Sequence, residues 1–100
     1  MTTLFILIDT TDPYGPGLAG HDQWAGPVLT LLGLRAFERV VLLAGPEDGG
    51  RMQSTAEAAA GKFACAVESV VLPVSGVPEF LRDWWSAWRT RHPDEQAVAC

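Results

Sequence analysis

The sequence predicts an α/β fold of the Rossmann-like, three-layer α/β/α type. It should hold a parallel sheet of about four strands, in the element order β-α-β-α-β-α-β. Two observations carry that expectation. Short apolar runs ending on turn residues recur along the chain, and segments of helical periodicity separate them. The runs are apolar throughout rather than alternating, which suits strands buried on both faces, as in parallel sheets covered by helices.

Taken in order, the first run is Leu4-Phe5-Ile6-Leu7-Ile8, stopping at Asp9. The first helix opens at Gly26-Pro27, proline suiting an opening turn, and closes near Gly33. Val40-Val41-Leu42-Leu43-Ala44 is the second strand and stops at Gly45-Pro46. The second helix runs from about Asp48 to Phe63, with Met52, Ala56, Ala59, Ala60 and Phe63 on one face. A β-branched run from Val67 to Val74 makes the third strand. The third helix, about Pro78 to Arg91, gathers Phe80, Leu81, Trp84, Trp85, Ala87 and Trp88 on one side, leaving Arg82, Asp83, Ser86, Arg89 and Thr90 on the other. Ala97-Val98-Ala99-Cys100 is the fourth strand. Because the chain stops on an apolar strand, residues 1–100 read as one domain corresponding to the first half of a doubly wound fold, or a compact version of it.

Composition narrows the function classes. The chain is 48% hydrophobic and 19% charged, which describes a packed core and argues against disorder. A net charge of −5 supplies no basic field for duplex DNA or an anionic membrane. No run reaches the roughly 18–20 apolar residues of a bilayer span, and Met1-Thr2-Thr3 lacks the basic region of a signal peptide. Cys65 and Cys100 make no disulfide framework, so a reduced, cytoplasmic protein is expected.

For a sheet of order 3-2-1-4, ligands bind beyond the carboxyl ends of the strands, between strands 1 and 4. The segment after strand 1, from Asp9 to Gln23, is long for a connection usually of about 2–6 residues. Asp9, Thr10, Thr11, Asp12, Tyr14 and Gly15 offer hydroxyls, carboxylates, a ring and close backbone approach, which a phosphate-and-base ligand would use. The same residues also suit a plain Asp-Pro-Tyr-Gly turn with locally satisfied threonines.

Other chemistry finds little support. Gly15-Pro16-Gly17-Leu18-Ala19-Gly20 matches GxGxxG, but it lies away from the strand end, and no ribose-binding acid ends strand 2. No Gly-Lys-Ser/Thr occurs, so a Walker A loop is excluded. No nicotinamide, flavin or other cofactor is expected, and no metal. His21 beside Asp9, Asp12 and Asp22 reads as a solvated loop, and His92 as a helix-end residue complementing the dipole. Cys65 reads as a buried apolar residue. Pro73 to Gly76 stand where a receiver domain needs its phosphoacceptor aspartate, which excludes that class. Trp84, Trp85 and Trp88 exceed what one face of a small sheet requires; core packing and a dimer contact are both open.

Three stretches carry a family resemblance: the polar end of strand 1 leading to Gln23-Trp24-Ala25-Gly26-Pro27-Val28-Leu29-Thr30, then Phe37-Glu38-Arg39-Val40-Val41-Leu42-Leu43, then Val70-Val71-Leu72-Pro73 with the aromatic helix and last strand. The pattern resembles the start of CARF (CRISPR-associated Rossmann fold) domains, and it is similar to the sensor domain of RNA-repair transcriptional regulators. The resemblance implies a homodimer that binds a cyclic oligoadenylate or an RNA end, using the loop after strand 1 and a Thr/Ser-Gly-Thr-like segment after strand 4. The first loop maps onto Asp9, Thr10, Thr11 and Asp12; the second would follow Cys100. The expected function is a nucleotide sensor controlling an effector in antiviral defence. The alternatives are a metal-independent ring nuclease, with Thr10, Thr11 and Tyr14 as its available groups, and an interaction module using the tryptophan helix.

Overall fold

The computed structural model of the chain describes residues 2–8, 12, 14–16 and 23–99, with side chains at 2–8, 12 and 26–99. Its main sheet has four strands, β1 (Thr2–Leu7), β4 (Arg39–Ala44), β5 (Ala66–Val71) and β6 (Gln96–Ala99), all parallel and ordered β5-β4-β1-β6. In sheet-strand numbering this is 3-2-1-4, the order of the Rossmann-like fold that the sequence predicts. Helices α1 (Pro27–Leu34), α2 (Gly49–Lys62) and α3 (Val77–Arg91) form the crossovers, with a short 3-10 turn at Pro46–Asp48 before α2.

Successive residues of a strand point to opposite faces, and the core divides accordingly. Leu4, Ile6, Val40, Leu42 and Ala44 pack with Val28, Leu29 and Leu32 of α1 and Met52 and Ala59 of α2. On the other face, Phe5, Val41 and Val70 pack with Trp88 of α3. This two-sided burial explains why the strands read as continuous apolar runs. At the amino end the sheet is tied by a reciprocal pair: Glu38 N–H donates to the Thr2 carbonyl, and Thr2 N–H donates to the Glu38 carboxylate at 2.6 Å. That backbone hydrogen bond holds the Glu38 carboxyl below its ordinary pKa.

Three details differ from the expected picture. The segment after β1 is not a bare loop: β2 (Tyr14–Pro16) and β3 (Gln23–Ala25) form a small antiparallel ribbon, with Gly15 opposite Trp24. Ala60 is exposed on α2, and Thr55 is fully buried beside Met52 and Ala59. Its hydroxyl donates to the Arg51 carbonyl at 2.8 Å one turn back, so a threonine can take a core position without leaving a polar atom unpaired. On α3, only Trp88 is fully buried; Trp84 and Leu81 are half-buried, and Trp85 and Ala87 are exposed.

The reason lies in widths. Four strands about 4.8 Å apart present a face roughly 15 Å across, whereas one helix is about 10 Å wide. Among the described residues two helices cover the α1/α2 face and α3 alone covers the other. The uncovered strip is an apolar groove of about 220 Å³ lined by Phe5, Leu43, Leu81, Trp84, Trp85, Ala97 and Ala99.

Helix α3 starts on Gly76, whose φ of 72° is left-handed. A Cβ there would meet only Glu79 Oε2, at an ordinary 3.7 Å, so the cost of any side chain is in the backbone. Gly76→Ala should therefore lower unfolding free energy by about 1–2 kcal/mol, read as a shift in urea midpoint at constant slope. Gly76→Asn should lose less, since Asn tolerates that region better.

Candidate functional site

β4 begins beside Thr3, at the amino end of β1, so α1 must run back from the carboxyl end of the sheet to its amino end. The N-terminus of α1 and the segment following β1 therefore share the carboxyl end, where a 3-2-1-4 sheet changes direction between β1 and β6. This is the end to which the sequence assigned a ligand.

Of the six residues expected there, Asp9, Thr10 and Thr11 lie outside the described residues. Tyr14 and Gly15 lie on β2, which places Gly15 within a ribbon rather than at the end of β1 where a dinucleotide fingerprint needs its first glycine. Asp12 is the one whose side chain is placed. It is 2% exposed, and its Oδ1 accepts a hydrogen bond from Val28 N–H at 3.1 Å. The local sequence requires such outside help. Gly26, the N-cap, has no side chain to offer, Pro27 has no N–H, and no acidic residue stands in the first turn. Val28 N–H is thus the first donor α1 presents, and a carboxylate satisfies both it and the positive end of the helix dipole, together worth about 1 kcal/mol. The sixteen-residue separation between the partners left no local signal of this contact in the sequence.

A second polar cluster lies at the opposite end of the sheet. Thr3, fully buried on β1, donates through Oγ1 to Glu95 Oε2 at 3.0 Å. Arg39 Nη1, at the start of β4, is 3.5 Å from Glu95 Oε1 and 3.0 Å from His92 Nδ1. Arginine can only donate, so that imidazole nitrogen is the acceptor. His92 also lies against Trp88, ring centroids 4.7 Å apart, while Arg89 Nη1 donates to the Glu95 carbonyl. His92 therefore acts as an acceptor for Arg39 rather than as the dipole-complementing cation the sequence suggested. It helps tie α3, β4 and the start of β6 together, and the amino end of a parallel sheet is not where ligands sit.

Cys65 is half-buried against the α1/α2 core, and burial pushes its thiol pKa up, away from a reactive thiolate. Among the described residues no group of His, Cys, Asp and Glu is arranged to hold a metal, and no helix is long and apolar enough to cross a membrane. His21 and Asp22 lie outside the described residues. Comparison with family models, with curated proteins and with solved structures finds no match to this chain.

Proposed function

We propose that this protein is a nucleotide-sensing module that takes a cyclic oligoadenylate or a related small RNA ligand at the carboxyl end of its sheet and acts as a homodimer on an effector. The observation that carries this reading is the juxtaposition at one end of the sheet: a 3-2-1-4 switch point, and beside it a long segment rich in hydroxyls and glycines, anchored through Asp12 to the first turn of α1. The pattern resemblance to CARF domains supplies the ligand class. Within the segment, Asp9, Thr10 and Thr11 follow β1 most closely and are assigned the ligand's ribose or phosphate, with Tyr14 and Gly15 flanking them.

The test is calorimetric titration with cyclic tetra- and hexa-adenylate. Loss of one hydrogen bond to a charged group costs roughly 1.5–3 kcal/mol. Thr10→Ala combined with Thr11→Ala should therefore weaken binding at least about tenfold while leaving the melting temperature unchanged. Chromatography of the same mixtures for linear products separates a sensor from a ring nuclease. No binding by the folded protein would count against both nucleotide readings, and no binding by one that also carries the segment implied after strand 4 would end them.

The apolar groove beside α3 favours a second reading, an interaction module, and also motivates the homodimer. Light scattering at micromolar concentration should report about twice the chain mass. A Trp85→Ser variant should shift that value toward the monomer, since Trp85 is the exposed tryptophan of the groove at 39%. A clean monomer in the parent protein would count against the dimeric sensor.

A further inference from the structure

In a parallel α/β sheet, the first turn of the helix after strand 1 is where a ligand's phosphate is ordinarily received, because free backbone N–H groups and the helix dipole both favour an anion. In this protein that place is filled from inside the chain. Val28 N–H already donates to Asp12 Oδ1 at 3.1 Å. Asp12 is 2% exposed and Val28 fully buried, so an ion arriving from solvent meets neither partner. A buried carboxylate is costly unless N–H groups receive it, and a helix start is one of the few settings that does so.

We infer that Asp12 is a specificity-determining residue that closes the first turn of α1 to external phosphate. The inference rests on reading this end of the sheet as the ligand-binding end, and it refines that reading. A ligand held by the segment after β1 must be recognised without a phosphate on Val28. Ligands that dock a pyrophosphate on the first helix are rejected, and recognition falls to the hydroxyls of Thr10 and Thr11. Asp12 itself is a positioning residue rather than a ligand contact, and it ties its own position to the start of α1.

Amide-resolved NMR with inorganic phosphate as the probe tests this directly. In the parent protein the Val28 and Leu29 resonances should not move with phosphate. Asp12→Asn keeps an oxygen acceptor in place and should stay equally silent. Asp12→Gly vacates the position, and the same two amides should then shift saturably, with half-saturation in the millimolar range. A saturable Val28 shift in the parent or in Asp12→Asn would overturn the inference, as would a folded Asp12→Gly that ignores phosphate. If Asp12→Gly folds only when phosphate is added, the inference is upheld; if it stays unfolded even then, the carboxylate does more than fill the seat and the inference fails. Failure of cyclic oligoadenylate to bind would sink the sensor reading without touching this result, since phosphate probes the helix start alone.

Discussion

Ile6→Asp is expected to yield no folded, soluble protein. Ile6 is 3% exposed near the carboxyl end of β1, paired in register with Leu42 of β4, and it packs in the cluster shared with α1 and α2. Losing its burial costs about 1.5–3 kcal/mol, and placing an unpaired carboxylate there adds several more. A domain of this size has about 5–15 kcal/mol in total, so the two terms consume most or all of it. Ile6→Val, which removes one methylene without adding charge, should cost only about 0.5–1.5 kcal/mol and remain folded. The soluble fraction on expression and thermal melts by circular dichroism read both variants. A soluble Ile6→Asp with an unchanged melting temperature would take β1 out of the core.

The same two-sided burial makes the sheet legible in the sequence. A strand with helices on both faces has no reason to alternate, and Leu4 to Ile8 or Val40 to Ala44 are recognisable by length, β-branching and abrupt ends at Asp9 and Gly45. The parallel direction then follows from connectivity, whereas the order 3-2-1-4 comes with the Rossmann-like class, since the same alternation also builds sheets of order 2-1-3-4. What stayed hidden lacks local pattern. Tyr14–Pro16 is a three-residue strand containing Gly and Pro, with no alternation to betray it. Thr55 reads as polar in a sequence, and only the back-bond to Arg51 makes it a core residue. The Asp12–Val28 contact joins residues far apart in the chain, so nothing near either one predicts it.

The candidate site was legible only as a location. The sheet order points to the carboxyl end, and the length of the segment after β1 marks it as more than a connection. Which of its side chains meet a ligand is a question of geometry, and Asp12 shows why. By residue type it is as good a ligand candidate as Asp9, yet its carboxylate already holds the start of α1. The two ends of the sheet thus divide the work. Thr3, Arg39, His92 and Glu95 lock the amino ends of the strands to α3, leaving the carboxyl end to carry the long segment.

Trp88→Ala should cost about 3–5 kcal/mol, the range for emptying a buried aromatic position. Trp88 is the only fully buried residue of α3 and the centre of its contact with the sheet, with Phe80 and Trp84 packed beside it. Its ring meets Phe5 edge-on at 4.9 Å, stacks on Trp85 at 5.5 Å and supports His92 at 4.7 Å. Truncation therefore opens a cavity and also loosens the His92–Arg39 contact at the end of the helix. For a domain of this size each kcal/mol moves the midpoint by roughly 4–8 °C, so a drop of at least about 12 °C is expected. Trp88→Phe is the informative companion. Among the described residues the Trp88 Nε1 atom is buried without a hydrogen-bond partner, a donor that costs free energy where it stands. Phenylalanine keeps most of the ring contact and deletes that donor, so the two changes offset and the loss should fall well below that of alanine. Urea unfolding followed by circular dichroism gives both values. Equal losses for Phe and Ala would mean that the indole N–H is satisfied in solution and that Trp88 holds α3 through that bond as well as through its ring.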